Sequence, residues 1–274
     1  MTALTPPVSA PVDVRTIRAR KTGFVTDTAS VAGRALRGIP REPETIVPAL
    51  FIPLFFFLVN VGALQDFSER GIPGFDYKAF QLPVAIIFAV TGISRASTLV
   101  TDIQDGYFDR LVLTPVRRLS LLLGLMVADF AVVCALCVPV LLLGFATGVR
   151  FDTGLLGVLA FIVLAGLWGL VFTGFPYAIA LKTGNPGAVA SSFILFFPFA
   201  FLTTSMLPRE ALTGWLDTVA GYNPVTYVLA GLRSLLTEGW EWTTLGTALL
   251  AIAIVGTVSM SMCFAALRGR IRNG

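Results

Sequence analysis

Histidine is absent from this 274-residue chain, which removes the commonest general base, metal ligand and physiological-pH switch. Cysteine is scarce, with 3 residues, and Cys134 and Cys137 form a C-x-x-C inside an apolar run. Residues at i and i+3 share one helix face there, so small packing side chains are expected; reactive or metal-binding thiols need a polar, accessible setting. No G-x-x-x-x-G-K-[ST] occurs in the sequence, so the chain lacks that phosphate-cradling loop. Charge is thin too. Charged residues make up 13% and hydrophobic ones 55%, with a mean hydropathy of +0.82, whereas soluble domains carry about 25% charged residues. A soluble fold is therefore excluded, and an all-α, polytopic membrane protein is expected. The first forty residues are polar and basic, so no cleavable signal peptide is expected. The basic balance is accounted for by arginines beside membrane spans, and no nucleic-acid partner is expected.

A bilayer core about 30 Å thick needs about 20 apolar residues per helix. Six spans are predicted, at 46–64, 80–100, 119–147, 154–181, 188–206 and 243–267, within a transmembrane domain covering 44–274. Pro139 and Pro176 are kink candidates in the two long spans. With both termini on one side, fifteen of the 20 Lys and Arg residues lie there, and only Arg70, Lys78, Arg150, Arg209 and Arg233 lie opposite. That asymmetry predicts cytoplasmic termini. Residues 1–23, with Pro6, Pro7 and Pro11, read as a disordered tail. In "DTASVAGRALRGIPR" (27–41), Val31, Ala35 and Leu36 fall at helical spacing beside Arg34 and Arg37. An amphipathic helix over 24–43, lying on the inner leaflet, is expected.

The segment "DGYFDRLVLTPVRR" (105–118) then falls on the cytoplasmic side. Thr101 and Asp102 are placed to cap a short helix, with Asp105 in its first turns. Phe108, Leu111 and Val112 form an apolar patch, Pro115 stops the helix, and Arg117 and Arg118 anchor the next span. From the residues alone, docking and packing on neighbouring helices explain the patch equally well. In the third span, Asp129 lies near mid-membrane depth, where an acidic group costs about 2.5–3.5 kcal/mol on insertion scales. An ion pair with Arg95 is expected; a role in substrate binding or proton sensing is the alternative.

The 105–118 segment resembles the stretch after the second span in ABC type-2 permeases, with its Leu-x-x-Thr-Pro-x-Arg-Arg run. A second stretch, "FLTTSMLPREALTGWLDTVAGYNPVTYVLAGLRSLL" (201–236), is similar to the family's segment before the last span, with landmarks Pro208, Gly214-Trp215-Leu216, Asn223-Pro224 and Arg233. The likeness extends over nearly the whole chain and is strongest to the daunorubicin-resistance type. It departs at Thr203-Thr204-Ser205, where relatives often carry Ser-Gly. The resemblance implies a connecting helix, six spans, a cytoplasmic coupling helix, and a re-entrant helical hairpin at the outer face. It implies a bacterial plasma-membrane exporter of drugs, antibiotics or lipids. ATP and Mg would bind a separate ATPase subunit, two copies of which dock on two permeases, the second a copy or a paralogue. No cofactor is expected on this chain, and no catalysis or metal. Asp105, Tyr107, Phe108, Asp109, Arg110 and Leu111 become the expected ATPase contacts. Phe193, Phe196 and Phe199 are candidates for a substrate path, with membrane lipids as the other neighbours. A proton-coupled secondary transporter is the alternative, but its carboxylate relay would rest on Asp129 alone.

Overall fold

The computed structural model describes residues 23–41, 43–72, 74–106 and 118–273. Every regular element among the described residues is a helix. Helix α1 (Phe24–Gly38) carries Asp27 in its first turn and Arg37 in its last, both favourable to the helix dipole. The apolar face of this helix packs on protein. Ala32 and Ala35 are buried, and Val31 and Leu36 pack against the hydrophobic core. The cause is Gly124 in α5 (Arg118–Ala146): a Cβ there would sit 2.6 Å from Val31 Cβ and 2.9 Å from the Thr28 carbonyl. Small residues permit such close helix contacts where lipid offers no hydrophobic drive for association.

Helix α2 (Pro43–Gly71) extends a turn and more beyond the predicted first span and stays largely exposed, with Phe57 its main buried anchor. The second predicted span is two helices, α3 (Tyr77–Thr91) and α4 (Ala96–Gln104), separated at 92–95. Asp76 caps α3 by accepting from the Ala79 amide at 3.0 Å. The fourth span is likewise divided into α6 (Gly154–Phe172) and α7 (Gly174–Thr183). Pro176 accounts for this break, because it cannot donate to the Phe172 carbonyl. Pro139, by contrast, is accommodated inside α5. Residues 186–201 form α8 (Pro186–Ser192), a 3-10 turn (Phe193–Leu195) and α9 (Phe196–Phe201). Then come α10 (Trp215–Tyr222), α11 (Pro224–Thr237) and α12 (Trp242–Asn273).

Among the described residues, 5 helical runs are long and apolar enough to cross a membrane: Ile46–Gly71, Tyr77–Gln104, Leu119–Ala146, Gly154–Thr183 and Trp242–Arg270. The predicted span at 188–206 is the shorter, broken run Pro186–Phe201. Thr101 and Asp102, read from the sequence as the start of a coupling helix, lie in the last turns of α4. Residues 1–22 of the predicted tail lie outside the described residues.

The core divides into two apolar clusters. One holds Ile87, Ile93, Val133, Phe172, Phe196, Leu229 and Ile252 among others; the second holds Ala96, Leu99, Leu125, Ala128, Tyr177, Val189 and Cys263. Along four separate helical runs the clusters part at one level, between Ile93 and Ala96, Ala128 and Val132, Phe172 and Tyr177, and Ile252 and Cys263.

Candidate functional site

That level is a polar seam. At its centre is Asp129, 2% exposed. One carboxyl oxygen accepts the Arg95 backbone N–H at 2.9 Å; the other accepts the Tyr177 hydroxyl at 2.8 Å. Arg95 is the N-cap position of α4, so the Asp129 side chain serves as a cap supplied by another helix. A helix interrupted inside a membrane must find partners for its freed amides within the protein, and this carboxyl group is such a partner. The structure thus brings Arg95 and Asp129 together, and the contact runs through the Arg95 backbone. Nearby, the Trp168 indole donates to Thr91 Oγ1 at 3.0 Å, and Thr91 in turn donates to the Ile87 carbonyl at 2.6 Å. Thr173 donates to the Leu170 carbonyl at 2.7 Å, and Ser259 of α12 to that of Val171 at 2.5 Å. Carbonyls beside the two breaks thus accept from hydroxyls of their own helix and, at Val171, from a neighbouring one.

On the side of the seam bearing α4 and α7, three contacts tie α1, α4, α7 and α12 together. Arg34 of α1 pairs with Asp102 at 3.0 Å. The Gln104 amide donates to the Gly184 carbonyl at 2.9 Å, and Arg270 to that of Leu181 at 3.2 Å. Asp105 is exposed in the turn that closes α4. Tyr107, Phe108, Asp109, Arg110 and Leu111 lie outside the described residues.

On the other side, the hairpin of α10 and α11 is clamped to the bundle by two residues. Asn223 caps α11 by accepting from the Val225 amide at 3.0 Å, and its amide donates to the Phe199 and Leu202 carbonyls at 2.7 and 2.8 Å. Arg233 donates to the Phe80 carbonyl at 3.1 Å and to Thr204, at Oγ1 (2.9 Å) and the carbonyl (2.8 Å). Its guanidinium also lies 3.5 Å from the Phe80 ring centroid, a cation–π arrangement. Pro208 precedes the 3-10 turn Arg209–Ala211, and Trp215 opens α10 with its ring exposed.

The three phenylalanines do not share one surface. Phe196 is buried, edge-on to Phe88 at 5.6 Å and Phe172 at 5.4 Å. Phe199 is half exposed, and Phe193 lies in the 3-10 turn that breaks the helical register. Cys134 and Cys137 form no disulfide with each other; Cys134 faces Gly166, where a Cβ would come within 2.9 Å of its sulfur.

Sequence reasoning overlooked Tyr177 and Trp168. A signal existed for the break they surround: Gly92, Ser94 and Arg95 interrupt an apolar run. None existed for the partners, which are 34 to 77 residues away along the chain.

The profile of the ABC-2 type transporter family matches residues 27–237. The chain is 25% identical over 219 residues to a daunorubicin resistance ABC transporter permease of Streptomyces coeruleorubidus, covering 77% of this chain and 75% of that protein. It is also 25% identical over 222 residues, 79% of each chain, to a Mycobacterium tuberculosis protein named as a doxorubicin resistance ABC transporter permease. The match takes in Arg95, Asp129 and Tyr177 of the seam, both arms of the hairpin clamp and the 105–118 segment, and the chain belongs to the ABC-2 type transporter family.

Proposed function

We propose that the chain is the permease subunit of an exporter that moves hydrophobic or amphiphilic compounds out of the cell. Hydrolysis of ATP with Mg on a separate nucleotide-binding subunit drives it, with two such subunits docking on a pair of permeases, either two copies of this chain or this chain and a paralogue. The observation that carries the proposal is the family match over residues 27–237, and the drug-resistance names of the relatives support the cargo class. The run Pro186–Phe201 together with the 202–206 stretch completes a sixth crossing, both termini face the cytoplasm, and the membrane is the bacterial cell membrane.

The geometry favours a lever mechanism. The 105–111 segment contacts the ATPase, with Phe108 as an apolar plug and Asp105, Asp109 and Arg110 orienting it. Force enters at the end of α4, which is short and tied to α1 by the Arg34 contact and to the end of α7 by the Gln104 contact, α7 being held in turn to α12 by Arg270. The pivot is the seam, where α3 gives way to α4 and α6 to α7. Cargo leaves because its affinity differs between the inward-open and outward-open states.

The test is transport by the reconstituted complex. ATP-dependent export should be abolished by vanadate and survive an uncoupler; the opposite pattern would establish proton coupling in its place. Phe108→Ala should leave the permease folded while separating ATP hydrolysis from export. Unaltered coupling in that variant would remove the docking assignment.

A further inference from the structure

Helix α12 carries an exposed apolar stripe, Ile254, Val258 and Met262. Steps of three and four residues lead from it to Arg268 and Arg272, both exposed, so the stripe and the two arginines share one helix face. Arg270 points the other way and donates to the Leu181 carbonyl in the last turn of α7 at 3.2 Å. That contact braces the end of α12 against the end of α7, where Lys182 is exposed. Neither helix contains an Asp or Glu. Among the described residues no carboxylate pairs with Lys182, Arg268 or Arg272, and on the adjoining α4 Asp102 is taken by Arg34. The membrane-length run of α12 closes at Arg270, which puts these cations at headgroup level, directly beyond side chains that face lipid.

We infer that the braced ends of α7 and α12 bind an anionic phospholipid, its phosphate at Arg268 and Arg272 and its acyl chains along the Ile254–Met262 stripe. Basic pockets between transmembrane helices recruit anionic headgroups, and an arginine meets phosphate through a planar fork of donors. The stripe decides between lipid and protein as the partner. An acidic protein face would satisfy the arginines but leave the apolar residues below them uncovered, whereas one phospholipid covers both. Placing this lipid in the inner leaflet rests on the orientation proposed above; the binding itself does not.

The experiment is native mass spectrometry of the purified chain in detergent micelles, titrated with dioleoyl phosphatidylglycerol or dioleoyl phosphatidylcholine. The two lipids share acyl chains and differ in headgroup charge. One cation beside an anionic surface is worth about fivefold in affinity, so the wild type should hold phosphatidylglycerol at least about tenfold more tightly. Arg268→Gln/Arg272→Gln should weaken phosphatidylglycerol by about 25-fold, two such factors, and leave phosphatidylcholine unchanged. Both side chains are exposed, so the variant should melt with the wild type. Arg150→Gln, before α6 at the opposite end of the bundle, should alter neither affinity. The inference fails if the two lipids bind alike, or if the preference survives in the double variant. It fails too if glycerol 3-phosphate displaces the lipid at equal concentration, which would make this a site for free phosphate. No lipid preference, together with loss of ATPase-subunit binding in the double variant, would assign the cations to a protein partner and overturn it as well. Lipid binding is read without transport, so the exporter assignment stands or falls separately.

Discussion

Asp129 joins three helical runs through hydrogen bonds that include the Arg95 amide and the Tyr177 hydroxyl, and its replacement offers the sharpest check on the seam. Asp129→Ala leaves the Arg95 amide and the Tyr177 hydroxyl as orphaned donors in an apolar interior. Each costs about 1–3 kcal/mol, so the variant should lose about 2–6 kcal/mol. At about 2–4 °C per kcal/mol for a domain of similar size, thermal unfolding in detergent should shift downward on the order of 10 °C. Asp129→Asn keeps a carbonyl oxygen for the Arg95 amide, and the Tyr177 hydroxyl can turn to accept from the new amide, so about 1 kcal/mol should be lost. The decisive comparison is a cycle with Tyr177→Phe. With the hydroxyl removed, Asp129→Ala strands one donor instead of two, and its cost should fall by about half; contacting residues commonly show coupling of about 0.5–3 kcal/mol. Fluorescence-detected size-exclusion melting of the four variants measures this directly. Strict additivity, or an Asn variant that melts with the Ala variant, would refute the two-acceptor role.

Arg233→Lys keeps the charge but loses the planar fork on Thr204 and the Phe80 carbonyl, so it should lower the melting temperature by several degrees and speed proteolysis in the 202–214 loop; wild-type resistance would contradict the clamp. Asn223→Asp should be no better than Asn223→Ala, since a carboxylate cannot donate to the Phe199 and Leu202 carbonyls, and each should lose about 1–3 kcal/mol by the same melting assay. Gly124→Val should push α1 from α5 through the Val31 and Thr28 contacts and raise hydrogen exchange across residues 24–38 (mass spectrometry reads this), while Gly246→Val, where nothing lies within 4 Å of an added Cβ, should not.

Local physics wrote the helical runs into the sequence. A membrane helix satisfies its own backbone and must be apolar along its whole length, so runs near 119–146 and 242–270 are legible residue by residue. Caps such as Asp76 and Asn223 are legible for the same reason, because each acts within three residues of itself. Hydropathy also marked Asp129 as an anomaly and nominated Arg95 as its partner; that the Arg95 backbone amide also reaches it was not legible, since charge is what a sequence displays and a freed amide is not. The division of the second and fourth runs, the Tyr177 contact, the burial of the α1 apolar face and the split of 186–201 into short pieces depend on which helices meet. Gly124 illustrates the difference: in sequence it is one of 26 glycines, and only packing makes it the place where α1 rests. The sequence by itself determined the membrane class, the helical runs and the family; the tertiary structure decided where those runs break and which distant side chains meet the polar groups there, because such partners are fixed by proximity in space.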